Sequence, residues 1–231
     1  MAYLFPPLAI KAIPVNGERK HYPVNRVFCV GRNYVEHAKE MGIPVDREKP
    51  FYFLKSAAHA QLTGATIPYP GGTTNFHYEV ELVVAMGKRI FHADLKKAKG
   101  AIFGYAVGLD MTRRDLQLSE RAQQRPWDLG KDVEQSAVFS KITKAKDFGA
   151  VGPQRIQLSL NGELKQDAQL NDLVWKVDEI ISHLSQFYHL GPGDLVMTGT
   201  PAGVGPVVPG DKIAGSIAGL DPISLKIGKM K

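Results

Sequence analysis

The stretch NFHYEVELVVAMGKR, residues 75–89, decides how the chain folds. Read with a period of two, Tyr78, Val80, Leu82, Val84 and Met86 fall on one side of a strand. His77, Glu79, Glu81, Val83 and Ala85 fall on the other. The first side is wholly apolar and needs a core. The second begins with a histidine and two carboxylates and then turns apolar as well. A helix would set Glu79 and Glu81 roughly 200° apart and would leave the alternation without a reason. Two carboxylates on one partly buried face repel each other and are costly to desolvate unless they share a cation or a proton. The spacing alone leaves two readings open, a solvated strand face or a metal site.

Outward from this strand the chain alternates strands, turns and short helices. Residues 1–22 read as an N-terminal arm with a hairpin around Asn16-Gly17, and 23–231 as the main domain. RVFCVG (26–31) and PFYFLKS (50–56) read as strands. Between them RNYVEHAKEMGIP predicts a helix of about two turns, with Asn33 as N-cap, Glu36 in a capping box, and Gly42 and Pro44 as stops. So short a helix needs tertiary support and suits a lid. A short helix over 94–99 leads into the strand AIFGYAVGLD, after which Thr112 is expected to cap the helix RRDLQLSERAQQ, with Asp115 in the capping box. RIQLSLNGELKQD reads as a hairpin turning at Asn161-Gly162. Apolar residues at 173, 174, 177, 180, 181, 184 and 187 predict an amphipathic helix ending at Gly191-Pro192. Turn-punctuated strands complete a fold of the α+β class, mainly β.

A chain of 231 residues with 44% hydrophobic and 23% charged residues is long enough to bury a core and ordinary for a soluble globular protein. Its longest uncharged central run, GAIFGYAVGL, is far too short to span a bilayer. The opening MAYLFPPLAIKAIPVNGERK has no basic leading segment and carries prolines in its apolar part, so no signal peptide is expected. Cys29 is the only cysteine, which excludes an internal disulfide and fits a cytoplasmic protein. The net charge of +6 is scattered, its densest cluster being KKAK at 96–99, and no nucleic-acid-binding signature accompanies it. Neither nucleic acid nor membrane is expected as a partner; small anionic substrates suit such a surface.

Asp110 ends an apolar strand just before a helix. Joined to Glu79 and Glu81 it would make an all-oxygen site suited to Mg²⁺ or Mn²⁺, or less specifically Ca²⁺, with positions left open for water and substrate. His37 and Glu40, three residues apart, share a face of the expected lid helix, so that the carboxylate can orient the imidazole as a base; a solvated pair is the alternative. Arg114, Gln117 and Arg121 share a face of the helix after Asp110. Lys55 and Lys131 follow apolar or aromatic segments, where isolated lysines are ordinarily solvent-facing. GTPAGVGP (199–206) is glycine-rich but lacks the ending of a P-loop.

Taken in order, VGRNYVEHAKEMG, PFYFLKS, HYEVELVVAMGKR, GYAVGLDMTRRDLQ, RPWDLGK, LSLNGELKQ and GPGDLVMTGTPAGVGPV resemble the fumarylacetoacetate hydrolase family, and its short acylpyruvate and fumarylpyruvate hydrolase branch in particular. The resemblance implies a distorted mixed β-roll, a homodimer, and a metal-dependent hydrolase that cleaves a C–C bond in a 2,4-dioxo acid, as in a gentisate-type route of aromatic catabolism. It implies Glu79, Glu81 and Asp110 as ligands of Mg²⁺ or Mn²⁺, and His37 with Glu40 as the water-activating pair on a lid. It implies Gln117 and Lys131 at the reacting carbonyl, with Arg114 and Thr200 holding substrate; Arg32 and Lys55 are further substrate-binding candidates. A distal carboxylate would need a cation, for which Arg32, Arg121 and Arg125 are the choices. DVEQSAVFS after Lys131, and Ser56 after Lys55, depart from the family pattern near the expected acyl position. Oxaloacetate decarboxylation or isomerisation of a dioxo acid could use the same metal site, and a basic binding protein with a structural ion is the non-enzyme alternative.

Overall fold

The computed structural model describes residues 2–42, 47 and 49–230. The Val80–Met86 strand is buried along its whole length and lies between two apolar layers. Tyr78, Val80, Leu82, Val84 and Met86 enter the larger core. Val83 and Ala85 enter a second core with Ile13, Val27, Cys29 and Met197. The alternation is therefore real, and the face that begins with acids ends in a core of its own. Burial of a medium-sized apolar side chain stabilises a fold by about 1.5–3 kcal/mol, which strongly specifies the register of a strand buried on both sides.

This strand sits inside the largest sheet, which has eight strands among the described residues. It pairs antiparallel with Asp194–Met197 on one side and Ile102–Asp110 on the other. Asp194–Met197 runs parallel to Arg26–Gly31, which pairs antiparallel with Phe51–Lys55. At the opposite end Ala137–Phe139 runs parallel to Ala60–Leu62, so the sheet is mixed. A five-stranded sheet faces the larger core, contributing Ile156, Leu158, Ile213 and Leu225. The outcome is the curled, mainly β architecture of the expected mixed roll.

The expected single strand through residues 78–86 is interrupted at Glu79. Phe76–Tyr78 belongs to a separate small sheet with Thr112–Arg113 and Gly205–Val207, whereas residues from Val80 onward join the large one. The neighbouring strand makes the same switch between Asp110 and Thr112. A backbone hydrogen bond from Asp110 N to the Glu79 carbonyl, 2.9 Å long, closes the corner. Two adjacent strands thus change sheets at one level, and the corner brings their acids together.

Three further expectations are corrected. Asn33 does not cap the helix expected as a lid, Val35–Glu40, which starts after Tyr34 without a side-chain cap. Asn33 is instead fully buried, donating to the carbonyls of Thr198 (2.8 Å) and Trp175 (3.1 Å) and accepting from Trp175 N at 2.7 Å. Glu36 pairs with Lys39 at the surface; Gly42 does follow the helix, at φ +67°, and the expected stop at Pro44 lies outside the described residues. Thr112 does not cap the next helix, Arg114–Ala122; it lies in a two-residue strand and Asp115 ties down the Thr73–Thr74 backbone and hydroxyl. The long amphipathic helix is only Val177–Leu184. Leu173 bridges Tyr34 and Trp175 is held by Asn33, so residues 173–176 are drawn out of helical conformation, and Phe187 is exposed. The hairpins stand: Ala12–Ile13 pairs with Tyr22–Pro23, and Asn161 and Gly162 turn at φ +54° and +88°, the two-residue turn that matches strand twist.

Candidate active site

The corner gathers Glu79, Glu81 and Asp110 so that a carboxylate oxygen from each lies within 4.8 Å of the others, and all three residues are buried. Three buried anions require positive charge nearby, and three distant segments supply it. The Lys131 ammonium donates to Glu79 Oε2 at 2.6 Å, Asp110 Oδ2 at 2.8 Å and the Thr112 hydroxyl at 2.8 Å. The Arg114 guanidinium donates to Glu79 Oε1 and to Gln117 Oε1. Lys55 stands 2.9 Å from Asp110 Oδ1 and donates to the Met111 and Lys131 carbonyls and to Ser136 Oγ.

The compensation is uneven. Burial pushes the Glu79 carboxyl up, but the charges of Lys131, Arg114 and His37 outweigh it and hold it well below the usual carboxylate range. Among the described residues Glu81 accepts one hydrogen bond, from the backbone N–H of Gly199 at 2.7 Å. Burial, then the neighbouring Asp110 and Glu79 charges, push its carboxyl well up. Asp110 Oδ1 has Lys55 at ion-pair distance but not in hydrogen-bond geometry, so this buried oxygen is left without a hydrogen bond. A short-of-cation carboxylate and an unsatisfied carboxylate oxygen, in an all-oxygen cluster, fit a hard divalent cation.

A cavity opens onto this cluster, walled by Glu79, Glu81, His37, Gln117, Lys131 and Thr200. His37 is nearly buried and its Nδ1 is 3.2 Å from Glu40 Oε2. Burial lowers its basicity most; Glu79 and Glu40 oppose, and Arg114 adds to the lowering, so the balance lies below the ordinary histidine value. Glu40 also accepts from Gly203 N at 3.2 Å, which ties the Val35–Glu40 helix to the 199–206 turn. Because a guanidinium only donates, Arg114 fixes the Gln117 amide with its oxygen turned away and its Nε2 donors left for the cavity.

The remaining expected substrate contacts divide. Thr200 and Arg32 line the cavity; Arg32 adopts φ +57° and its guanidinium lies 5.8 and 5.9 Å from the ring centres of Phe51 and Trp127. Lys55 and Arg114 do not line it: they stand behind the carboxylates, Lys55 donating to the Met111 and Lys131 carbonyls and to Ser136 Oγ beside Asp110, and Arg114 donating to Glu79 and Gln117. Arg121 lines it and Arg125 does not.

Sequence reasoning missed Gln166. It is fully buried, accepts from Val80 N at 3.0 Å, and donates to the Thr200 hydroxyl and the Pro201 carbonyl, each at 2.8 Å. It thereby locks the residue between the two glutamates to the Thr200 turn. A glutamine inside a polar hairpin strand carries no periodicity signal that would single it out.

A mixed β-roll whose sheet-switching corner carries three carboxylates beside a short histidine-bearing helix defines a class of metal-assisted enzyme sites. The chain belongs to the fumarylacetoacetate hydrolase family: residues 26–230 match the model for the fumarylacetoacetate (FAA) hydrolase C-terminal domain. It is 52% identical over 191 residues to a fumarylpyruvate hydrolase of a Ralstonia species, covering 81% of this chain and 98% of that one. It is 38% identical over 209 residues to a mitochondrial oxaloacetate tautomerase of Oryza sativa subsp. japonica, covering 89% and 92% of the two chains. The crystal structure of fumarylpyruvate hydrolase from Pseudomonas aeruginosa in complex with Mn²⁺ and pyruvate superimposes with a TM-score of 0.94 at 43% identity, covering 99% of this chain and all of that one.

Proposed function

We propose that the chain is a metal-dependent fumarylpyruvate hydrolase, cleaving the C3–C4 bond of this 2,4-dioxo acid to give fumarate and pyruvate. The observation that carries the reading is the meeting, on one cavity wall, of the His37–Glu40 pair, the carboxylate cluster and the outward Nε2 of Gln117. The 52% identity to a fumarylpyruvate hydrolase and the likeness to a Mn²⁺- and pyruvate-bound one support the choice of substrate and metal.

Glu79, Glu81 and Asp110 would hold Mg²⁺ or Mn²⁺, which supplies Lewis acidity to the 2-oxo acid end of the substrate. Glu40 fixes His37 through Nδ1, so Nε2 is the nitrogen that takes a proton from water. The water oxygen bonds to C4, and the carbonyl π pair moves to its oxygen, where the Gln117 Nε2–H donates and the buried Lys131 charge stabilises the anion. The carbonyl re-forms as the C3–C4 bond breaks. Its electron pair goes to C3, which takes up the proton that His37 removed. Lys131 works through charge, because its bonds to Glu79, Asp110 and Thr112 use its three donors. Arg114 positions Glu79 and Gln117, and Thr200 and Arg32 face the substrate.

The likeness to an oxaloacetate tautomerase favours a second reading, in which His37 moves a proton on oxaloacetate and no water attacks. Pyruvate release from fumarylpyruvate and acetylpyruvate, together with keto–enol interconversion of oxaloacetate followed by its ultraviolet absorbance, each measured after metal removal and after restoring Mn²⁺, decides between them. Metal-dependent release greatest on fumarylpyruvate supports the hydrolase; cleavage of neither dioxo acid ends that reading.

The same reading takes residues 23–231 as the catalytic domain and 1–22 as its arm, in a cytoplasmic homodimer serving a gentisate-type route. The arm's Leu4, Phe5, Leu8 and Ile10 are each more than 70% exposed, which supports a partner copy. Cys29 is buried and reduced, and no helix among the described residues is long and apolar enough to cross a membrane. Sedimentation velocity checks the dimer.

A further inference from the structure

The cavity has two parts of different chemistry. Glu79, Glu81, His37, Gln117 and Lys131 form one part of its wall, and Arg121, Arg32, Trp127 and Met41 another; Phe53 joins the two, its ring centre 4.9 Å from Lys131 Nζ and 6.1 Å from the Trp127 ring centre. Gln117 and Arg121 are one helical turn apart on the Arg114–Ala122 helix, so Arg121 lies about 6 Å farther along the helix axis. If the reacting carbonyl carbon lies against Gln117 Nε2, a carboxylate closing a four-carbon acyl group lies three carbon–carbon bonds beyond it, roughly 4 Å away. That places it within reach of the Arg121 guanidinium.

We infer that Arg121 reads the far end of the substrate, pairing with a carboxylate at the end of the acyl group and so selecting dioxo acids with an anionic tail. The inference rests on the hydrolase reading and deepens it. Of the three arginines in question, Arg125 is not on the cavity wall, and the Arg32 guanidinium is packed over the Phe51 and Trp127 rings. Arg121 makes a hydrogen bond of 3.5 Å to the Met41 carbonyl and no ion pair with a carboxylate among the described residues. A bond at that limiting length is readily exchanged for a charge-assisted one. Met41 is also the C-cap of the Val35–Glu40 helix that carries His37, so the cation that reads the tail touches the same element as the proposed base. The aromatic walls lower the local dielectric and strengthen the pairing.

The test compares wild type, Arg121→Gln and Arg121→Lys, all with Mn²⁺, on fumarylpyruvate and acetylpyruvate. Loss of a charge-assisted hydrogen bond predicts that Arg121→Gln lowers the ratio of kcat/KM for fumarylpyruvate over acetylpyruvate by roughly 10- to 100-fold, mainly through KM. Arg121→Lys should recover part of that ratio. Fumarate binding, read by calorimetry without turnover, should weaken at least about tenfold in Arg121→Gln, with pyruvate binding much less affected. Equal proportional losses on both substrates, or fumarate binding unmoved by Arg121→Gln, overturn the assignment. A wild-type enzyme that cleaves neither dioxo acid overturns the hydrolase reading instead, and the fumarate measurement still decides whether Arg121 receives the carboxylate.

Discussion

Gly130 packs against the backbone of Gln117 so closely that a Cβ at 130 would stand 2.7 Å from Gln117 N and 2.8 Å from its Cα. These are backbone atoms of a helix and cannot swing aside. Gly130 precedes Lys131, so this contact sets the distance between the helix that presents Gln117 and the turn that presents Lys131. Gly130→Ala should therefore lower kcat on fumarylpyruvate by roughly 100-fold, as misplacement by about 1 Å does in other sites, although no group touching substrate is altered. Overpacking should cost about 1–3 kcal/mol in urea unfolding. Wild-type kcat in the variant would mean that the two segments adjust independently.

Glu81 poses a different problem, a buried carboxyl pushed well above the usual carboxylate range, whose one hydrogen bond among the described residues comes from Gly199 N. Lys131, Arg114 and Lys55 are committed to Glu79 and Asp110. Glu81→Gln removes the ionisable group and the cost of burying it beside Asp110 and Glu79 while keeping the shape, so the metal-free protein should become more stable, by about 1–3 kcal/mol. The stabilisation that Mn²⁺ gives wild type should largely disappear. Thermal unfolding with and without Mn²⁺ reads both effects; a variant that is less stable without metal and still stabilised by it would refute the assignment.

The contrast between these two residues shows what could be read from the chain. The alternation of side chains between two layers along Val80–Met86 was legible because it is local, and so was the Asn161-Gly162 turn. The stripe Val177, Ile180, Ile181 and Leu184 was legible as core, but the start of its helix was not. That boundary depends on Asn33, 142 residues from Trp175, taking both backbone groups of that residue. For the same reason Asn33 and Thr112 looked like caps: short polar side chains next to a helix satisfy the local rule, while distant partners claimed them. The three carboxylates were visible as residue types, but their roles came from resemblance to a family, not from spacing. The cations that offset them lie 35 and 52 residues from Glu79 and 55 from Asp110, beyond any local pattern.

Gln166 joins Val80 N to the Thr200 turn across the larger core. Gln166→Leu keeps the approximate volume and leaves a buried N–H and a carbonyl without partners, at a cost of about 1–3 kcal/mol for each unsatisfied group. Urea unfolding should show that loss, and KM should rise because Thr200 lines the cavity. A stability loss with unchanged KM would confine Gln166 to the fold.

The last prediction concerns pH. His37 must be neutral to accept a proton from water, and burial holds its protonation below the ordinary histidine range. The charges facing it act in both directions: Glu79 and Glu40 favour the protonated ring, and Arg114 disfavours it. In a profile of kcat against pH, the acid limb should therefore fall below pH ~6.5, the unperturbed value for this side chain. Glu40→Gln removes a group that raises the His37 value, so the limb should move to still lower pH. The plateau should also drop, by roughly 10- to 100-fold, because a less basic and less firmly oriented imidazole is a poorer base. The opposite displacement, to higher pH, would show that Glu40 does not act on the group that titrates. An acid limb that survives in His37→Ala would assign that titration to another residue altogether.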